Sequence, residues 1–306
     1  MFLGKVLSSS TLVGVLVALS GQARAQITHL EASLDGAQEC TVVTAGTGAG
    51  NFTLNVGTHA INHAISWQNL SSATNLGHIH GPAALCVQGA AVFTLYSAVT
   101  SSPISGSFPT TAAQEANLLA GSMYANLHTV NFSGGEIRGQ ILLSPAVGTP
   151  FCFGDGSGAQ PCPCGNTGAA GNGCDNSAGT GGARLDASGH TSPDNVVLVT
   201  QGELPTVLSI FLQGDMSIAP SNFGDGLRCA GGSLKRLGAK NAFNGWVAYP
   251  EGAELSITAK SASLGDTIPP GGTRHYQTYY RDSVLGFCPA PPGNSWNVSR
   301  AVSITW

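Results

Sequence analysis

The chain has 306 residues, of which only 12 are Lys or Arg and 16 are Asp or Glu, for a net charge of −4. An apolar share of 42% supplies real cores and excludes wholesale disorder, while the lack of any basic footprint excludes phosphate backbones, so no nucleic acid partner is expected. With 42 glycines and 16 prolines the chain suits short strands joined by turns far better than a helical bundle, and the expected class is all-β.

Residues 1–25 carry Lys5, an apolar run over 11–19 and the closing triplet Ala23-Arg24-Ala25. That order is the pattern of a secretory signal peptide cut before Gln26, and the run is shorter than the roughly 20 residues that span a bilayer. No later stretch is long and apolar enough to do so, which predicts no transmembrane segment after signal cleavage. The protein is therefore expected to be secreted, or exported to the periplasm or cell surface.

Residues 26–144 read as a first β-sandwich or barrel-like domain. Ile61, His63, Ile65 and Trp67 alternate with Asn62, Ala64, Ser66 and Gln68, as in a strand with one buried face. Further strands are expected over 51–55, 76–80, 91–96, 123–130 and 136–143. One short helix is expected after Thr111, where Thr111 and Gln114 form a capping box and Gly121 marks the stop. Residues 145–182 are dense in Gly, Pro, Asn and Cys and read as a linker running into a stapled loop. Residues 183–306 read as a second, disulfide-linked β-sandwich, with strands expected over 196–201, 206–213, 245–249, 255–260, 274–281 and 300–306.

All eight cysteines follow the expected cleavage point, in a compartment where disulfides persist. Cys40 and Cys86 precede the composition break; Cys152, Cys162, Cys164, Cys174, Cys229 and Cys288 follow it. Both counts are even, so each half can close its own bridges, and Cys40 with Cys86 is the pairing if the first half pairs internally. The later six allow 15 connectivities. A zinc site at Cys152, Cys162, Cys164 and Cys174 is the competing reading, but the spacing does not match a paired zinc ribbon.

Chemistry concentrates on three strands. His78 and His80 flank Ile79, so both imidazoles leave one face while Ile79 turns to the core. Tyr124, Asn126 and His128 share a face opposite Ala125 and Leu127, and Glu136, Arg138 and Gln140 oppose Ile137 and Ile141. Three readings compete here: a wet face or structural network in which Glu136 pairs with Arg138, a metal site on His78, His80 and His128, and a site for another ligand involving Asn126, Glu136 and Arg138. Three neutral imidazoles suit copper or zinc, whereas calcium and magnesium want oxygen ligands. His59 and His63 read as ordinary, partly buried histidines, and no catalytic residue set is assigned.

The blocks Leu34-Asp35-Gly36-Ala37-Gln38-Glu39, His78-Ile79-His80-Gly81-Pro82-Ala83, Tyr124-Ala125-Asn126-Leu127-His128-Thr129 and Gly135-Glu136-Ile137-Arg138-Gly139-Gln140 stand in an order that resembles the CHRD (chordin-type) domain. The resemblance implies an extracellular β-sandwich module with no established catalytic role, with family positions falling on His78, His80, His128, Glu136 and Arg138. The chain departs from the family pattern after Glu39, where Cys40 stands in place of the usual prolines, and Cys86 is a matching addition. The His-x-His strand also resembles the copper strand of copper/zinc superoxide dismutases, but the bridging-His and Asp zinc ligands have no counterpart. The second half is similar to C-terminal segments of secreted environmental-bacterial proteins, which implies a surface or sorting module. The expected function is a non-enzymatic extracellular binding, adhesion or structural protein, its partner an extracellular protein or glycan. The alternative is a copper- or zinc-binding protein or metalloenzyme.

Overall fold

A computed structural model describes residues 27–284, 286–289 and 294–306. The expected signal peptide lies outside the described residues. Among these residues no helix is long and apolar enough to cross a membrane.

The first half forms β1 (Ile27–Asp35), β2 (Thr47–Asn55), β3 (Ala60–Gln68), β4 (Thr74–His80), β5 (Ala91–Tyr96), β6 (Ile104–Pro109), α1 (Ala112–Leu119), β7 (Tyr124–Thr129), β8 (Ile137–Gln140) and β9 (Leu142–Leu143). These strands make one sheet in the order β5-β4-β7-β8-β1-β2-β3-β6, with β9 paired to β1. The sheet curls into a nearly closed barrel rather than two flat layers, and its edge strands β5 and β6 meet where Phe93 and Phe108 stack at 5.0 Å. Closure leaves little of the edge free for unwanted pairing. Inside lies a single apolar core that includes Leu30, Leu34, Phe52, Leu54, Ile61, Ile65, Ile79, Leu127 and Ile137. The alternation read in β3 holds: Ile61, His63 and Ile65 are buried, and the His63 ring stacks on Phe108 at 5.1 Å. His59 contacts Glu115 of α1 at 2.9 Å. That helix starts with the expected capping box, in which the Gln114 amide donates to Thr111 Oγ1 and Gln114 Oε1 accepts from the Thr111 amide.

The second half contains β10 (Thr149–Phe151), β11 (Arg184–Ser188), β12 (Val197–Gln201), β13 (Leu208–Gly214), β14 (Met216–Phe223), β15 (Gly226–Gly231), β16 (Lys235–Asn241), β17 (Trp246–Tyr249), α2 (Ile257–Ser263), β18 (Thr273–Arg281), β19 (Trp296–Val298) and β20 (Ala301–Thr305). A three-stranded sheet, β11-β12-β17, faces a six-stranded one, β10-β20-β18-β13-β16 with β19 beside β18. Leu185, Leu198 and Val247 of the first sheet and Phe211, Tyr276 and Val302 of the second share one core. β12 is buried on both faces, because Val197 and Val199 turn the other way to meet Ile27 and Trp246. Residues 255–260, expected as a strand, lie largely in α2 instead. Ser256 caps that helix through the Ala259 amide, and Ile257 and Ser261, one helical turn apart, form its buried face.

All eight cysteines are bridged: Cys40–Cys86, Cys152–Cys229, Cys162–Cys174 and Cys164–Cys288. Each half closes its own bridges, as the even counts allowed. The four-thiolate zinc reading is overturned, since no thiol is free.

Glu203, just past β12, is 1% exposed, and only the Ser209 hydroxyl donates to its carboxyl. Burial pushes its pKa up to about 8, partly offset by Ser209. The native group stays protonated where the unfolded one, near 4.5, ionises. Its contribution to stability is therefore full below pH 4.5 and is lost as pH rises towards 8. Glu203→Gln removes this titration and is expected to flatten the alkaline decline in the urea midpoint between pH 5 and about 8. An unchanged slope in the variant would show that Glu203 is not the group responsible.

Candidate metal centre

β4 lies between β5 and β7, and its register with β7 sets His78 opposite Asn126 and His80 opposite Tyr124. Side chains diagonal across an antiparallel pair share a face, so His128 arrives beside His78. Ile79, between the two histidines, is fully buried in the core below. One donor nitrogen from each of His78, His80 and His128 falls within 4.8 Å of the other two.

The closest approach is His78 Nδ1 to His128 Nε2, at 3.4 Å. A tetrahedral ion with metal–nitrogen bonds of 2.0–2.1 Å holds its ligand atoms about 3.3 Å apart, so this pair already has coordination spacing. On two of the rings the second nitrogen is occupied by the backbone. His80 Nδ1 lies 3.0 Å from the Gly89 carbonyl and His128 Nδ1 lies 2.9 Å from that of Ser133. A carbonyl can only accept, so both rings carry their proton on Nδ1 and turn the Nε2 lone pair inward. His80 Nε2 is buried and has no hydrogen-bond partner among the described residues.

Burial, then the neighbouring His128, holds His78 below the usual histidine value. His80 is lowered first by burial and further by His78, His128 and Arg138, against the opposing pull of the Gly89 carbonyl. Both rings are thus held in the neutral form that a metal requires. His128 is 7% exposed, while His78 and His80 are partly exposed, so the cluster is reached from one side.

Arg138 supports the cluster without joining it. Its guanidinium lies 3.4 Å from the centre of the Tyr124 ring, and Tyr124 stacks on His80 at 5.0 Å with the planes 7° apart. Its Nη1 and Nη2 donate to the carbonyls of Val87 and Ala84, at 2.9 and 2.7 Å. Asn126 is 4% exposed and lies by Glu39, whose carboxyl is raised by burial against the pull of Arg138 and Asn126.

Glu136 corrects the sequence reading twice. It neither pairs with Arg138 nor faces the imidazoles, because Thr44, Ser71 and Thr129 take both of its oxygens. The carbonyls of Gly89 and Ser133 went unnoticed in the sequence, since any residue type supplies a carbonyl.

Fold and site together define a disulfide-bonded, barrel-like β module with an imidazole cluster on one face. Residues 30–141 match the family model of the CHRD domain, and this part of the chain is a CHRD domain. No curated protein and no solved structure matches the chain, so the likeness expected for the second half gains no support. The CHRD domain and the four bridges fit an extracellular or exported protein.

Proposed function

We propose that this is an exported CHRD-domain protein that holds one copper or zinc ion on His78, His80 and His128. The observation that carries the reading is the convergence of three imidazole nitrogens within 4.8 Å, two of them on rings oriented by backbone carbonyls. Such carbonyl contacts on the far ring nitrogen are the usual outer support of metal-bound histidine. An all-nitrogen donor set selects copper or zinc over calcium or magnesium, and three protein ligands leave a position for solvent or a partner's group. A purely structural or adhesive face accounts for Glu136, whose two oxygens are satisfied by the fold, and for the two Arg138 nitrogens that bond the 81–90 loop, although Arg138 Nε is itself buried without a partner among the described residues. Such a face leaves the buried, partnerless Nε2 of His80 without a purpose.

Elemental analysis of protein purified without a polyhistidine tag tests this reading. After exposure to copper or zinc and desalting, one equivalent of metal should remain. His80→Ala should lose it, with an affinity drop of about 100-fold or more and an unchanged circular dichroism spectrum. Wild-type protein that folds normally and retains neither ion would remove the proposal.

A further inference from the structure

The loop 81–90 between β4 and β5 has little apolar reason to stay where it is. Of its apolar side chains only Ala83 is buried, while Leu85 and Val87 are 54% and 53% exposed. Yet this loop supplies the Gly89 carbonyl that fixes the His80 ring, and its Gly89 amide donates to Tyr124 Oη at 3.0 Å. Polar contacts and one covalent bond hold it. The contacts include Arg138 to Ala84 and Val87, Gln140 Nε2 to the Ala83 carbonyl at 2.8 Å and the Ala83 amide to the Ser122 carbonyl at 2.8 Å. The covalent bond is Cys40–Cys86.

The far end of that bridge is well anchored. Cys40 closes a single 3-10 turn, Ala37–Glu39, that follows β1 directly. Within the turn, Gln38 donates to the Ser33 carbonyl and accepts from the Gln140 amide at 3.1 Å, which ties it to β1 and β8. The bridge thus fastens an exposed, weakly packed loop to the rigid barrel wall, three residues from the carbonyl that orients a candidate ligand. Segments with few buried apolar contacts are the first to open locally.

We propose that Cys40–Cys86 is a redox latch on the imidazole site. Closed, it holds His80 with its Nε2 facing inward; opened, it frees the loop and the ring, so the ion is held tightly only by the oxidised chain. Opening takes two electrons and two protons from a dithiol reductant, which becomes a disulfide while Cys40 and Cys86 become thiols. The inference rests on the metal reading above and adds its regulation: metal loading follows disulfide formation and is reversed by reduction of this one bridge.

The test compares wild-type protein with the Cys40→Ser/Cys86→Ser variant, the other three bridges being left intact. Copper(II) alone is the probe, titrated against a chromophoric chelator. In parallel, the nitrogen-15 shifts of His80 are recorded without metal, which reports the tautomer independently of binding. The expected result is a roughly 10- to 100-fold weaker copper affinity in the variant, the range for losing outer support of a ligand, and a His80 that no longer holds its proton on Nδ1 alone. Equal affinity and an unchanged tautomer would overturn the latch. Wild-type protein that binds no copper, with a tautomer that still changes in the variant, would remove the metal reading but leave the bridge's hold on His80 standing. Should the double variant fail to fold, wild-type protein is treated with a graded dithiol reductant and the opening of Cys40–Cys86 is followed by thiol labelling and mass spectrometry. A copper affinity that falls roughly 10-fold or more as this bridge opens is expected, and a value within twofold of the oxidised protein would contradict the proposal.

Discussion

Glu136→Ala is expected to destabilise the protein by about 4 kcal/mol, although the residue touches none of the imidazoles. Glu136 is fully buried. Its Oε1 accepts from Thr44 Oγ1 at 2.6 Å and from the Ser71 amide at 2.7 Å, and its Oε2 accepts from Ser71 Oγ at 2.7 Å and Thr129 Oγ1 at 2.6 Å. One carboxylate thus joins the loop after β1, the loop after β3 and the end of β7. Removing it leaves the buried Thr129 hydroxyl unmatched, along with the less buried donors of Thr44 and Ser71, and an unmatched buried donor costs more than its bond contributes. Burial alone would raise its pKa, but the four hydrogen bonds together outweigh burial and hold it below the usual 4.5. The sign follows directly: the stabilisation is full above pH 4.5 and is lost as pH falls through the lower native value. Urea unfolding at neutral pH measures the effect, and a loss under about 1 kcal/mol would mean that the knot is not a keystone of the barrel.

The second large effect belongs to the other half. Cys164–Cys288 spans 124 residues of sequence, and the loop-entropy relation gives about 5 kcal/mol for closing a loop of that length. Cys152–Cys229 and Cys162–Cys174 already restrain part of the same span, so that figure is an upper bound. Cys164→Ser/Cys288→Ser is expected to lose about 3–5 kcal/mol, read as a fall in the unfolding midpoint of the second half. The barrel, whose own bridge is untouched, should keep its midpoint. A variant with an unchanged second transition would show that the six-stranded sheet holds itself together without this staple.

Period and capping were the legible parts of the fold. The alternation in β3, the His-x-His of β4 and the Thr111 capping box rest on local chemistry, and each takes its expected form. The 255–260 segment failed for a local reason too: Ile257 and Thr258 favour strands, but Ser256 is a helix cap, and a buried face at Ile257 and Ser261 decided the outcome. β1 and β6 went unassigned in the first half, although β1 pairs with three other strands of the barrel, and so did β10, β11, β14, β15, β16 and β19 in the second. Connectivity among the six late cysteines was not legible at all, because spacing does not determine pairing.

In the site, face-sharing of His78, His80 and His128 could be read from the period of two. What could not be read was that Glu136 turns from that face to bind Thr44 and Ser71, which lie 92 and 65 residues away in sequence. The Arg138–Tyr124–His80 stack was equally hidden, since it needs the β4–β7 register to bring its members together.

Three imidazoles on one barrel face are proposed to bind a single ion. Anomalous scattering at the copper or zinc edge, from crystals of tag-free protein soaked in that ion, tests it most directly. One strong peak is expected within about 2.1 Å of His78 Nδ1, His80 Nε2 and His128 Nε2. A peak on other residues, or none beside these three rings, would contradict it.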